Sequence, residues 1–326
     1  MFEPVAIGVD AGGTKTHVVI SRADSTERDA VVPTRSWWPD GLPLDDPGNA
    51  RRLIAALALE DADRLDPQAA LVMGAHRVDS QSVATNLQAY LSEVFAGLVR
   101  VHNDALLIGP AAGITGPSVA VIAGTGSIVV ALDGIGGSRR LGGYGHLLGD
   151  EGSAPALVRD LAVAVTRGAD RGEPDPIALG ALARAAGVPE GPECVNDLAT
   201  WMHEHPSRTD WGDLAPAVFD AAELGSPMAL GVVGAHAAAL AGLIAIHLTR
   251  EPGARAVVLA GGVVTHQPRL ALAITRLVHD QHPDLPVVIL EHPPVGGAVT
   301  LARSLLRPAG GADVGSNGLP IPPMGA

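Results

Sequence analysis

Residues 5–21 read Val5-Ala6-Ile7-Gly8-Val9-Asp10-Ala11-Gly12-Gly13-Thr14-Lys15-Thr16-His17-Val18-Val19-Ile20-Ser21. The apolar run Val5–Asp10 stops at Ala11-Gly12-Gly13, and Thr16–Ser21 resumes as a second extended segment. Short apolar runs bounded by glycine turns read as buried strands. The pair is a β-hairpin, not the strand-to-helix step of a dinucleotide-binding unit. Its turn carries useful chemistry. Gly12 and Gly13 allow backbone N–H groups to approach a phosphate, because no Cβ stands in the way. Thr14 and Thr16 add hydroxyls, and Lys15, the only lysine in the chain, adds a positive charge. Asp10, at the strand end, is placed to hold Mg²⁺ directly or through water. The same residues would also make a plain hairpin turn capped by an Asp.

The pattern recurs downstream. Ser118–Ala123 is an apolar run stopped by Gly124-Thr125-Gly126-Ser127, and Ile128–Leu132 continues it as a strand. Ala256–Ala260 runs into Gly261-Gly262, a bare backbone face that suits a flat ligand such as adenine. Around these turns, Ala69–Gly74 and Leu98–His102 read as strands, while Gly48–Leu59, Ser82–Phe95 and 105–112 read as helices. Alternating strands and helices predict an α/β protein with helices packed on a mixed or parallel sheet. The stretch from Gly152 to about Leu248 is Ala-rich and mostly helical, divided by Pro- and Gly-rich breaks near 172–176, 187–192 and 205–213. Turn residues at Gly113–Pro117 predict a boundary between a first domain, 1–115, and a second, 116–294. Residues 308–326 lack periodicity and predict a mobile tail.

Two further segments carry polar chemistry. Asn103-Asp104 follows a strand and opens a helix. A carboxylate there can accept the proton of an attacking substrate hydroxyl, or simply cap the helix. Leu141–Ala154 packs glycine turns, Tyr144, His146, Asp150 and Glu151 into one short stretch. Carboxylates grip vicinal sugar hydroxyls, and an aromatic face meets sugar C–H groups. A surface loop before a helix is the plainer reading of the same residues. Trp37-Trp38, in a chain only 3% aromatic, reads either as a ligand wall or as a hydrophobic plug.

Composition bounds the rest. The 326 residues are 47% hydrophobic with a formal net charge of −13. That supports two cores and argues against nucleic acid as a partner. One cysteine, Cys194, supplies neither a disulfide nor a multi-cysteine metal site. Met1-Phe2-Glu3-Pro4 has no leader character and stretches such as Ser118–Ala131 are too Gly-broken to span a bilayer. The expectation is a cytoplasmic protein without a membrane partner. No Walker-type or G-x-G-x-x-G phosphate motif stands between a strand and a helix.

Together Asp10–Thr16, Asn103–Asp104, Ala123–Ser127 and Gly142–Ala154 resemble the N-acetylglucosamine kinase group of the BadF/BadG/BcrA/BcrD ATPase family. That family lies within the actin/hexokinase/Hsp70 superfamily. The most specific element is Gly142-Gly143-Tyr144-Gly145 followed by Gly149-Asp150-Glu151-Gly152-Ser153, with Tyr144 where the family usually has Trp. The resemblance implies two ribonuclease-H-like domains of actin-like architecture with a cleft between them, hinged to exclude water. It implies ATP and Mg²⁺ as cofactors, with Asp10 toward the metal, Gly12, Gly13, Thr14, Lys15 and Thr16 as the first phosphate loop and Gly124, Thr125, Gly126 and Ser127 as the second. Gly261 and Gly262 fall at the adenosine motif and Asp104 at the catalytic base. Asn103, Asp104, Thr125, Gly143, Tyr144, Gly145, His146, Asp150, Glu151 and Trp38 fall to the sugar. A last helix near 295–306 returns to the first domain, and a homodimer is common among such proteins. The implied activity is phosphorylation of the primary hydroxyl of an amino sugar, N-acetylglucosamine or glucosamine. Two alternatives are a kinase for another hexose-like acceptor and a non-catalytic ATP- and sugar-binding sensor. A redox activator of the same family needs two cysteines per subunit for its iron–sulfur cluster, and Cys194 stands alone.

Overall fold

The computed structural model describes residues 5–22, 27–78, 80–134, 137–191, 193–251 and 253–306. The leader reading at Met1–Pro4 and the mobile-tail reading at 308–326 lie outside them. The described residues form two compact units. One runs up to Val101 and resumes at Ala298; the other is His102–Gly297.

The first unit is built on the opening hairpin. β1 (Ala6–Ala11) pairs antiparallel with β2 (Lys15–Ser21), from Ala6 opposite Ser21 to Ala11 opposite Thr16. β3 (Glu27–Pro33) extends that side antiparallel, and β4 (Ala70–Ala75) joins β1 in parallel on the other. With β5 (Leu98–Asn103) the sheet order is β3-β2-β1-β4-β5. The helices are α1 (Pro47–Ala56), α2 (Asp61–Arg64) and α3 (Gln81–Ser92). Ile7, Val9, Val18, Ile20, Leu71 and Met73 pack with Leu53, Leu87 and Leu91 into one buried core.

The second unit repeats the order. β6 (Ser118–Ala123) and β7 (Ser127–Leu132) form the hairpin, and β8 (Ser138–Gly142) continues it antiparallel. β9 (Val257–Ala260) joins β6 in parallel and β10 (Val287–Ile289) joins β9, giving β10-β9-β6-β7-β8. Alternate residues face opposite layers, as a strand requires. Val119, Val121 and Val129 enter a large helical core, while Ala120, Val130 and Leu132 pack on Ala105 and Ile108. Those last two belong to a 3-10 turn, Asp104–Leu107, and the short helix α4 (Ile108–Ala111), where a single helix over 105–112 was expected. Their packing on β6 and β7 puts the division between the units at 101/102, ahead of the Gly113–Pro117 turn.

Between β8 and β9 lie α5 (Ala154–Asp170), α6 (Pro176–Ala186), α7 (Cys194–Glu204), α8 (Arg208–Asp213), α9 (Ala215–Glu223) and α10 (Pro227–Arg250). After β9 come α11 (Gly262–His266) and α12 (Pro268–His279), and α13 (Val295–Leu306) closes the described chain. By length and composition α10 is apolar enough to cross a membrane. In this fold its stripe of Val233, Ala237, Leu240 and Ile244 is buried in the helical core, against α5, α9, α12 and the β6–β7 hairpin. Buried Asp175 caps α6 through the N–H of Ala178 and also accepts from the Ser226 hydroxyl (2.7 Å) and the Met228 N–H at the start of α10. One carboxylate thereby fastens two helix ends.

Buried polar groups make this fold acid-sensitive. Burial holds the His247 imidazole below its ordinary value of 6.5, with the Arg250 and Arg139 guanidinium groups pushing the same way, against the opposing bond from its Nε2 to Val129 O (3.2 Å). Burial alone would raise the Asp175 carboxyl, but the Ala178 and Met228 N–H groups and the Ser226 hydroxyl pull it below its ordinary 3.8. Both shifts have the same sign for stability. The unfolded chain takes a proton at each group that the folded chain refuses, so acid favours unfolding. Unfolding free energy from urea titrations should be level above pH 7, fall as pH drops below 6.5 and fall further below 3.8. His247→Gln should flatten the loss between pH 7 and 5; an unchanged slope would remove His247 as its source.

Candidate active site

In the first unit the glycine turn is held from behind. Gly12 N–H donates to Lys15 O at 3.0 Å and closes the turn, while Gly13, Thr14 and Lys15 are exposed. Asp10 is half-buried on β1, between His17 of β2 and Gly74 of β4. Thr16 behaves differently from its neighbours, being fully buried. Its Oγ1 accepts from Trp37 Nε1 (2.8 Å) and lies 3.0 Å from Thr34 Oγ1, whose hydroxyl donates to Gly12 O (2.8 Å). A threonine has one hydroxyl proton, so with Thr34 donating to Gly12, Thr16 donates to Thr34. The chain Trp37–Thr16–Thr34–Gly12 fixes the turn, and Thr34 N–H adds a bond to Thr14 O.

The two tryptophans differ in burial. Trp37 has no exposed surface and is the plug beneath the turn. Trp38 is half-buried, tilted against Trp37 with ring centres 6.1 Å apart, and its Nε1 donates to Leu42 O. The Thr16 hydroxyl, expected among the phosphate donors, is engaged inside the wall. His76 was not singled out by sequence. Its N–H donates to Ala11 O, and its ring edge lies 3.9 Å from where a Cβ on Gly13 would sit.

In the second unit several expected residues converge. Ser127 Oγ donates to Glu151 O at 2.7 Å, and Ala154 N–H donates to Gly124 O at 2.8 Å. The Gly124–Ser127 turn and the Asp150–Ala154 segment are therefore one piece. Asp150 is buried and takes a left-handed backbone, φ 56°, a conformation Asp tolerates better than most residues. Its Oδ1 accepts from Gly145 N–H (2.9 Å), and its Oδ2 lies 3.2 Å from where a Cβ on Gly126 would be. Gly261, φ 95°, meets the end of β6 so closely that a Cβ would lie 2.5 Å from Ala123 O. Gly262 follows at the start of α11, with its N 3.6 Å from where a Cβ on Gly124 would sit.

The remaining candidates stand more openly. Tyr144 is 74% exposed. Gly143 lies against Ile128, and Thr125 is exposed. The His146 ring meets the edge of Trp211 at 5.5 Å. Its pKa is lowered by burial and by the nearby guanidinium groups of Arg208 and Arg159. Asn103 Oδ1 and Asp104 Oδ1 both accept from Ala105 N–H (3.1 and 3.0 Å), and the cap of this 3-10 turn is Asn103.

A BadF/BadG/BcrA/BcrD ATPase family model matches residues 7–302. The chain belongs to the BadF/BadG/BcrA/BcrD ATPase family. It is 24% identical over 321 residues to an N-acetyl-D-glucosamine kinase of Dictyostelium discoideum, covering 93% of this chain and 98% of that one. A solved structure from Chromobacterium violaceum superposes with a TM-score of 0.64 at 22% identity, over 94% of this chain and 99% of the other. A ROK family glucokinase from Streptomyces griseus, solved with glucose and AMPPNP, gives 0.54 at 19% identity, over 92% and 98%. The structural likenesses establish the two-sheet α/β fold of this BadF-family chain.

The wall of the first turn is open to a direct test. Thr16→Val leaves the Trp37 N–H without an acceptor, which should cost about 1–3 kcal/mol of unfolding free energy. Thr16→Ser keeps the hydroxyl and should unfold close to wild type in urea. Equal midpoints for wild type and Thr16→Val would remove the relay from the account.

Proposed function

We propose that the protein is an ATP-dependent sugar kinase acting on the primary hydroxyl of an amino sugar, N-acetylglucosamine or glucosamine. One observation carries this reading. A buried carboxylate suited to sugar hydroxyls, Asp150, is held against a glycine- and hydroxyl-bearing turn suited to phosphate, Gly124–Ser127. Family membership and the similarity to an N-acetyl-D-glucosamine kinase support it.

Each unit carries a turn of its own. In the first, the N–H groups of exposed Gly13 and Thr14, with Lys15, meet the nucleotide's phosphates, while Gly12 N–H closes the turn on Lys15 O. In the second, Thr125 and Gly126 do the same, with Gly124 N–H closing that turn on Gly126 O, and Gly261–Gly262 offer bare backbone to the adenosine. Among the described residues no group of three or more His, Cys, Asp or Glu could hold a metal ion. That fits Mg²⁺, which is commonly held by phosphate oxygens and one or two carboxylates, and Asp10 is the carboxylate at the turn. When bound, Mg²⁺ neutralises charge on the phosphates.

The sugar lies against Asn103, Asp150, Glu151 and His146, with Tyr144 toward its C–H face. Asp104 takes the proton of the primary hydroxyl as that oxygen bonds to the γ-phosphorus. The bond from the γ-phosphorus to the bridging oxygen breaks, and ADP departs. Catalysis is mainly positioning and charge stabilisation. Ser127 and Thr16 act behind the ligands, shaping the turns. The protein works in the cytoplasm as a homodimer, with neither nucleic acid nor membrane as partner.

ADP release measured with Mg²⁺-ATP over a panel of hexoses should be strongest for one amino sugar, and silence across the panel would refute the reading. Asp104→Asn should lower kcat by about 10²–10⁴ while ATP binding by calorimetry stays near wild type. Turnover retained in that variant would dismiss Asp104 as the base.

A further inference from the structure

The Asp150–Gly152 segment is gripped by groups that no ligand role requires. Gly152 N–H donates to Nδ1 of His236, a histidine 2% exposed on α10, at 2.6 Å. An accepting Nδ1 puts the ring proton on Nε2, which donates to Asp160 Oδ2 at 2.9 Å. Asp160 Oδ1 accepts from Arg159 Nε at 2.7 Å, and Arg159 Nη1 donates to His146 O. The chain of bonds thus leaves the loop at Gly152 and returns to it at His146, on either side of Asp150. Burial alone would raise the Asp160 carboxyl, but the bonds from His236 and Arg159 hold it well below the usual carboxylate range.

Packing closes the same seat. Gly152 has φ 84°, and a Cβ there would lie 2.5 Å from Leu240 Cδ1. His236 and Leu240 are one turn apart on the same face of α10. The helix therefore presents a hydrogen-bond acceptor and an apolar wall to one peptide.

We infer that His236, steadied by Asp160 and Arg159, is a positioning residue that sets the placement of the Asp150 and Glu151 carboxylates and hence the enzyme's affinity for its sugar. The inference rests on the proposed sugar-kinase reading for the word sugar, and on geometry for the word positioning. His236 touches no ligand in this account; it acts through Gly152.

Two substitutions separate the two bonds. In His236→Gln the longer side chain can still donate to Asp160 but offers Gly152 N–H no acceptor at the Nδ1 place. In His236→Asn the amide oxygen falls near the Nδ1 place and can still accept from Gly152. Hydrogen exchange of the 145–153 segment should speed up in His236→Gln and stay near wild type in His236→Asn. In steady-state kinetics His236→Gln should raise the sugar KM about tenfold, the effect of losing one buried bond, with the Mg²⁺-ATP KM within about twofold. His236→Asn should recover most of that loss. Arg159→Gln, which frees the loop at His146 and also removes the Arg159 Nε bond to Asp160, should move the sugar KM the same way and covers the case in which His236→Gln fails to fold. Unchanged exchange and sugar KM in His236→Gln, or sugar and Mg²⁺-ATP KM rising together, would overturn the inference. A wild-type protein silent on every sugar would defeat the kinase reading, and the exchange pattern would still decide whether His236 holds the loop.

Discussion

A glycine turn cannot hold its own shape. Without a Cβ the backbone roams widely in the unfolded chain, and fixing it costs more entropy than fixing any other residue. Turns that must present N–H groups to a ligand are therefore only as good as what stands behind them. This protein meets the constraint in each unit with buried side-chain hydrogen bonds. In the first, an indole N–H and two threonine hydroxyls run in series to Gly12 O. In the second, Ser127 Oγ and the backbone of Gly124 fasten the turn to the segment that carries Asp150 and Glu151.

The two sheets share a strand order, yet their supports differ. The first hairpin leans on a short chain excursion, Thr34–Trp38, that lies directly after β3. The second leans on a long helical insertion between β8 and β9, whose last helix reaches back to Gly152 through His236. Helices are the stiffer support, because their side chains are locked in place by the packed core around α10. The repeated sheet fixes where a turn can be. The unrepeated parts determine what it presents.

Much of this was written locally in the sequence. Inner strands such as Ser118–Ala123 are apolar on both faces and end in glycine, so their type and ends are readable from composition alone. At the sheet edges β5 was readable, but β3, β8 and β10 were not; Glu27–Pro33 and Ser138–Gly142 are polar or exposed. At the candidate site, glycines and carboxylates announce themselves by type and spacing. Thr34 and His236 do not. The first stands 18 residues from its partner Thr16 and the second 84 residues from Gly152. Nothing short of the fold brings either into range. Trp37 was visible as an oddity, but whether an indole faces ligand or core depends on the group its N–H finds, here the Thr16 hydroxyl.

The same division bears on how losses of activity should be read. Gly13, Thr14, Lys15, Thr125 and Tyr144 are exposed, so changing them alters what a ligand meets with little cost to folding. Thr16, Ser127 and Gly261 sit where a change disturbs the backbone first: a side chain on Gly261 would run into Ala123 O. A dead variant at such a position says that the turn has moved, not that the residue touches a phosphate. For the phosphate turns, contact is properly argued from the exposed set, and preorganisation from the buried one. In a site made largely of backbone N–H groups, the buried set has the larger influence on affinity, because a misplaced peptide cannot be repaired by a side-chain rotation.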